Sequence, residues 1–282
     1  MKILILGSTG ILGNSLTKYL KTKKVKLFFI SRKKNFKKHF YLKDFSNYER
    51  LKELIFKIKP NYIINCLGVT KFHNSYKDKK ETKKINIKLP IFLSNFCLEE
   101  KIYFLHISTD CVFLGTKGNY KENAKKDAKD LYGLSKNLGE VKNKFSTTIR
   151  TSFIGPEKNT NKSLLNWFLS QSNSTRGYTN AFFSGLTSLE LSKIIFKFFI
   201  KKNNLYNLVL HVGGFKISKY NLLIIIKKIF KKKINIVRFK DFKIDRSLNS
   251  KKFQNLTKYK IKSWTILVKE LKAFMLKNSY NF

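Results

Sequence analysis

At 282 residues the chain can bury a sizeable core and is short enough for one domain, or for a large domain with a smaller annex. Its formal net charge is +42, almost all from lysine, with arginine confined to positions 32, 50, 150, 176, 238 and 246. Because Lys, Asn, Ile and Phe are all abundant and all favoured by AT-rich codons, compositional drift accounts for the charge. A specific nucleic-acid partner is therefore not expected, and weak attraction to anionic surfaces is the most the lysines imply. No apolar run approaches the ~20 residues of a membrane-spanning helix. Cys66, Cys97 and Cys111 lack paired or metal-ligand spacing, so neither a disulfide framework nor a metal site is expected, and the default location is the cytoplasm.

The first apolar run, Lys2 to Leu6, is too short for a secretion signal and reads as a strand. It leads into Gly7-Ser-Thr9-Gly10-Ile11-Leu12-Gly13 and a helix over Leu12 to Leu20. A glycine-rich turn between strand and helix is the context in which such a motif binds a dinucleotide. The first glycine makes the turn, the second lets the backbone approach a pyrophosphate, and the third packs helix on strand. A second strand, Val25 to Ile30, ends at Ser31-Arg32-Lys33. A carboxylate there would favour NAD; its absence favours the extra phosphate of NADP, so NADPH is the expected cofactor, with NADH the alternative.

Further on, the pattern predicts a helix over Tyr48 to Ile58, a strand over Tyr62 to Asn65, a helix over Lys84 to Glu99 and a strand over Tyr103 to Ser108. A helix over Tyr132 to Asn143 and a strand over Thr147 to Arg150 follow. Strands alternating with helices imply a parallel sheet. The expected fold is α/β, a Rossmann-type doubly wound parallel sheet with a smaller C-terminal substrate-binding region. The pattern loosens after Gly155-Pro156, where Ser170 to Asn180 reads as a long loop. Residues 1–155 are therefore taken as the cofactor-binding domain, and residues 156–282 as mainly substrate-binding and interleaved with the sheet.

Tyr132-Gly-Leu-Ser-Lys136 stands out. On a helix its Tyr and Lys share a face four residues apart, so an ammonium can lie near the phenol and favour its ionisation. With the glycine turn and with Ser108-Thr109-Asp110 at a strand end, this segment resembles the extended short-chain dehydrogenase/reductase superfamily, and within it the dTDP-4-dehydrorhamnose reductases. The likeness also takes in Asn65-Cys66-Leu67-Gly68-Val-Thr70, Asn86, Ile107-Ser-Thr-Asp-Cys-Val-Phe113, Gly118-Asn-Tyr120-Lys-Glu122, Asn137-Leu-Gly-Glu140 and Ile149-Arg150-Thr-Ser, and thins after about Gly155.

The resemblance implies NADPH-dependent reduction of a nucleotide-linked 4-keto-6-deoxy sugar for deoxysugar or surface-polysaccharide synthesis. Tyr132 would be the proton donor, Lys136 would lower its pKa and hold the nicotinamide ribose, and Thr109 would bind the carbonyl. Asp44 would contact the adenine end, with a capping role ahead of Ser46 as the alternative. Asn65, Cys66, Leu67 and Gly68 would line the cofactor, and Thr70, Asp110 and Cys111 the sugar. Cys111 stands where such reductases commonly have Tyr, and Lys71-Phe72-His73 replaces their usual acidic stretch. His73, His106 and His211 are read as structural. Arg176 and Arg246 suit a diphosphate, and Trp167 suits the sugar or base. The alternatives are an epimerase or dehydratase of the same superfamily, which Cys111 after Asp110 disfavours, and a non-catalytic regulatory subunit. The nucleotide, the sugar and the oligomeric state, a homodimer included, are left open.

Overall fold

The computed structural model describes residues 1–32, 39–71, 78–157 and 161–280. In chain order its elements are β1 (Lys2–Leu6), α1 (Ile11–Leu20), β2 (Lys26–Ser31), β3 (His39–Tyr41), α2 (Tyr48–Ile58), β4 (Tyr62–Asn65) and α3 (Lys79–Lys83). A π-helical turn (Lys84–Lys88) continues α3 into α4 (Leu89–Glu99), and β5 (Tyr103–Thr109), α5 (Leu131–Leu138), β6 (Ser146–Thr151) and β7 (Phe153–Ile154) follow. The second half holds α6 (Leu164–Ser170), β8 (Ser174–Tyr178), β9 (Ala181–Phe183), β10 (Leu186–Thr187), α7 (Ser188–Ile194) and a second π-helical stretch (Ile195–Lys201). It closes with β11 (Val209–His211), β12 (Ile217–Ser218), α8 (Lys219–Phe230), β13 (Asn235–Phe239), β14 (Ile244–Asp245), α9 (Lys251–Thr257) and α10 (Trp264–Lys277).

β1 explains the layering. Ile3 and Ile5 face one side of the sheet and Leu4 and Leu6 the other, and all four are fully buried, as a strand covered on both faces requires. The seven strands run β11-β6-β5-β4-β1-β2-β3, all parallel. Leu12, Leu16 and Leu20 of α1, at helical spacing, pack with α7, α8 and α10 on the Ile3/Ile5 face. Leu51, Leu54, Ile55 and Ile58 of α2 and Leu89, Leu93 and Phe96 of α4 cover the other. This is the expected doubly wound fold.

Two local expectations change. The segment read as a loop over Ser170 to Asn180 contains β8, whose residues Ser174 to Tyr178 carry no apolar alternation and pair in parallel with distant β13. The helix expected to reach Asn143 stops at Leu138, where Gly139 packs so closely on the Asn86 carbonyl that a Cβ would lie 1.9 Å from its oxygen.

Candidate active site

The strand C-termini meet the starts of α1 and α5. Gly7 adopts φ +80° and lies against the Cys66–Leu67 backbone, where a Cβ would sit 2.9 Å from Cys66 C. Gly13 presses on the Gly7 carbonyl, a Cβ there falling 2.1 Å from its oxygen. Gly10, by contrast, has open space, and its nearest neighbour would be 3.6 Å away. Gly10 is the N-cap of α1 and supplies no side chain, its own N–H donates to the Gly7 carbonyl (3.2 Å), and the first turn holds no acidic residue, so the Thr9, Ile11 and Leu12 amides and the helix dipole are left for an anion. The Ser8 hydroxyl, buried at the same turn, has no hydrogen-bond partner among the described residues. A cradle of backbone N–H groups with an orphan hydroxyl fits the pyrophosphate of a dinucleotide. Sequence reasoning passed over Ser8, which only its burial singles out.

At the end of β2, Arg32 is 62% exposed and sits 3.8 Å from Glu81 of α3, an ion pair weak enough to yield to a phosphate. Asp44 accepts from the Ser46 N–H (2.8 Å) and hydroxyl (2.7 Å), and these bonds hold its carboxyl below the usual range. Its cap closes that turn, while Asn47 caps α2, so the capping role considered for Asp44 belongs to the turn ahead of the helix. The loop over Asn65, Cys66, Leu67, Gly68 and Thr70 is clasped by Asn86 from the π-helical turn: Asn86 Oδ1 accepts from Val69 N–H (2.8 Å), and Nδ2 donates to Val69 O (3.0 Å) and Ser135 Oγ (2.9 Å). Phe72 and His73 lie outside the described residues.

The Tyr-Gly-x-Ser-Lys motif on α5 is fitted position by position. Asp130 caps the helix by accepting from Gly133 N–H at 3.0 Å. Gly133 is compelled by the Cys111 carbonyl, whose oxygen would be 2.2 Å from a Cβ. Glu140, just beyond the helix, receives a two-pronged contact from buried Arg150 (2.7 and 2.8 Å) and a hydroxyl from Ser108 (2.9 Å), tying α5 to β5 and β6.

Thr109 ends β5, accepts from Cys111 N–H (3.1 Å) and donates to Asp110 Oδ1 (3.1 Å). Tyr132 is half-buried beside it. Burial pushes the phenol well above its ordinary range, the charges of Cys111, Asp110 and Asp130 add to this, and a hydrogen bond with Thr109 works against it. Lys136 reaches the Ile107 carbonyl (2.7 Å) and His106 Nε2 (3.1 Å). Burial brings its pKa down to about 8 against the opposing pull of Glu140 and Cys66. The expected lowering of the Tyr132 pKa by Lys136 is thus not the state seen, because the amine is held on β5.

Asp110 is buried and its carboxyl is raised by burial, with Arg246 and Lys219 opposing. Arg246 donates through Nε to the Phe113 carbonyl (3.0 Å) and through Nη1 to Cys111 Sγ (3.3 Å), delivered there by the pairing of Tyr120 with Leu248. Lys219, at the start of α8, faces Asp110 and Cys111, and burial lowers its pKa. No local signal marked it among so many lysines. Trp167 packs against the principal core and Arg176, exposed on β8, stacks over Phe239 (5.1 Å); these contacts do not bring either to the Thr109–Tyr132 cluster. No cluster of metal-ligating side chains occurs among the described residues, nor any helix long and apolar enough to cross a membrane.

A parallel sheet of this order, with a glycine turn at its centre and Thr, Tyr and Lys at the neighbouring strand end, defines an extended short-chain dehydrogenase/reductase-type protein. Residues 1–176 match the family model for the RmlD substrate binding domain, and the chain belongs to that family. A dTDP-4-dehydrorhamnose reductase of Aggregatibacter actinomycetemcomitans is 31% identical over 140 residues, 49% of this chain and 45% of that protein. The matched stretch therefore spans about half the length of that relative. Among solved structures, a hypothetical dTDP-4-dehydrorhamnose reductase from Sulfolobus tokodaii aligns with a TM-score of 0.77 at 25% identity, over 93% of this chain and 97% of that one. A dTDP-4-dehydrorhamnose reductase of Bacillus anthracis in complex with NADP has a TM-score of 0.82 at 19% identity, over 96% of this chain and 98% of that one, a likeness of fold.

Proposed function

We propose that the chain is an NADPH-dependent oxidoreductase that reduces the 4-keto group of a nucleotide-linked 4-keto-6-deoxy sugar, in deoxysugar or surface-polysaccharide synthesis. The observation that carries this reading is the placement of Thr109, Tyr132 and Lys136 together at the C-terminal end of β5, beside an uncapped α1 N-terminus. The names of its relatives, reductases of a nucleotide-linked keto sugar, point the same way. When bound, the cofactor supplies the hydride. Tyr132 gives its phenolic proton to the carbonyl oxygen, and the Thr109 hydroxyl holds that oxygen in line. Lys136, as an ammonium, holds the nicotinamide ribose and favours the phenolate that Tyr132 becomes. Ser31 and Arg32 would receive the ribose phosphate that distinguishes NADPH. Arg246 keeps guanidinium donors beyond its two observed bonds and, with Lys219, supplies positive charge for the sugar-nucleotide diphosphate.

The test is titration of the purified protein with NADPH and NADH by fluorescence, then addition of a 4-keto-6-deoxy sugar nucleotide with absorbance followed at the nicotinamide band. Tight NADPH binding with substrate-dependent loss of absorbance is expected. Binding without oxidation across several keto sugars would shift the reading to an epimerase or a regulatory subunit, and no binding of either cofactor would overturn it.

A further inference from the structure

Beneath α5 runs a buried hydrogen-bond chain whose direction can be worked out donor by donor. Leu67 N–H donates to Asn65 Oδ1 (3.0 Å), and a backbone N–H can only donate. The Asn65 amide is thereby oriented, and its Nδ2, also a donor only, faces His106 Nδ1 at 3.2 Å. Nδ1 is then the bare nitrogen. The imidazole is neutral, since burial holds its pKa well below the ordinary value, so its single proton sits on Nε2. That N–H points at Lys136 Nζ, 3.1 Å away, while Nζ donates to the Ile107 carbonyl at 2.7 Å. An ammonium has three donors and no lone pair and would set N–H against N–H. A neutral amine accepts from His106 and leaves every donor and acceptor in the chain matched.

The groups facing Lys136 from the surrounding elements do little to oppose this. Glu140 is already engaged by Arg150 and Ser108. Cys66 is a neutral thiol, pushed up to about 12 by burial, and Tyr132 is a neutral phenol.

We infer that Asn65 and His106 hold Lys136 toward its neutral form in the cofactor-free protein, so that dinucleotide binding is coupled to uptake of one solvent proton onto Lys136 Nζ. The inference rests on the reductase reading for the identity of the dinucleotide. His106 is a positioning residue that acts through Lys136, and above a pH of about 8 the arrangement disarms Tyr132 until the cofactor is in place. With a neutral amine beside it the phenol is a poor acid. Once Lys136 moves to the ribose hydroxyls as an ammonium, the phenolate is favoured. By linkage, a group that gains a proton on binding makes affinity fall as pH rises through its free-state pKa.

Two measurements test this. Nitrogen-15 NMR of the histidine rings in the cofactor-free protein at pH ~8.5, where a group titrating at about 8 is mostly neutral, should show His106 as the Nε2–H tautomer. A Nδ1–H tautomer or an imidazolium would overturn the inference, and since this needs neither cofactor nor turnover, its result stands even if the reductase reading fails. Calorimetry of NADPH binding in buffers of different ionisation enthalpy, at pH ~8.5 where a group titrating at about 8 is mostly neutral, should show uptake approaching one proton per chain. The uptake should vanish in Lys136→Met. In His106→Gln it should fall several-fold, because the glutamine carbonyl can turn to accept from an ammonium. A purely structural His106 would change affinity or stability but not the proton count, so unchanged uptake in His106→Gln, or none in the unmodified protein, would overturn the inference. If the variant fails to fold, the tautomer measurement still decides.

Discussion

Tyr132 and Lys136 share one helix and are differently placed, and that difference makes their substitutions distinguishable. The phenol abuts Thr109 at the site, so Tyr132→Phe removes the proposed proton and little else. Turnover is expected to fall about 10²–10⁴-fold with NADPH affinity unchanged, read from steady-state rates beside a fluorescence titration. A variant of undiminished rate would remove Tyr132 from the acid role. Lys136 is 3% exposed, and its pKa of about 8 lies below the ordinary 10.5. Folding therefore disfavours the charged form. Below pH 8 both folded and unfolded chains carry the proton and the penalty is fully present; between 8 and 10.5 the unfolded chain binds more protons, so stability rises with pH as the penalty is relieved. Lys136→Met is accordingly expected to be more stable than the unmodified protein at pH ~7, by up to about 3 kcal/mol. The advantage should shrink toward pH 10.5, as urea unfolding at the two ends of that range would show. Thr109, Tyr132, Lys136 and the glycine turn were legible in the sequence because each lies in a contiguous motif whose spacing has a local meaning. Lys219, Ser8 and the partnership of His106 with Lys136 were not, since they depend on which distant elements meet and on which hydroxyls burial leaves unpaired.

The turn from β1 to α1 shows why three glycines in one motif are not equivalent. Gly13 is excluded from bearing a side chain by the Gly7 carbonyl oxygen, 2.1 Å from the position of its Cβ, whereas a Cβ on Gly10 would meet nothing closer than 3.6 Å and its φ of −74° suits any residue. Gly13→Ala should therefore destabilise the fold by about 1–3 kcal/mol or more through overpacking. Gly10→Ala should lose less than about 1 kcal/mol and still weaken dinucleotide binding, because its methyl would stand where the pyrophosphate approaches. Thermal melts paired with NADPH titrations separate the two. Equal losses of stability in both variants would mean that the turn is packed differently. At this scale the sequence was readable where burial is two-sided: β1, β4, β5 and β6 are apolar or β-branched runs bounded by turn residues. β3 escaped notice because it has three residues and joins the sheet at its edge. β8 escaped because Ser174-Thr-Arg-Gly-Tyr178 has no strand pattern of its own and is held by β13, some sixty residues away in the chain.

Across the whole molecule, the two halves of the chain share one core. More than half of the buried residues on the Ile3/Ile5 face come after Arg176, from Phe183 and Leu186 through Phe198 and Leu223 to Leu271 and Met275. β11 joins the principal sheet beside β6, and there His211 accepts from Arg150 Nη1 (3.1 Å) through Nε2 and donates from Nδ1 to the Tyr120 carbonyl (2.9 Å). Arg150 in turn holds Glu140 behind the Tyr132–Lys136 helix, so a strand from the second half braces the end of the first that carries the proposed site. α7 packs on α1, with Ser188 and Ser15 joined by a buried 2.7 Å hydrogen bond. A fragment ending at Arg176, the limit of the family match, keeps the glycine turn, Thr109, Tyr132 and Lys136, yet it would expose one face of the sheet and leave Arg150 without His211. It is expected to show no cooperative thermal transition and to be cut rapidly by trypsin at its many lysines, whereas the full chain resists. Because a lost core exposes apolar area worth roughly 25 cal/mol per Å², no rearrangement of the remaining helices should rescue it. A fragment that melted cooperatively and bound NADPH would instead make the first half an autonomous domain, with the second half an addition rather than part of the same core.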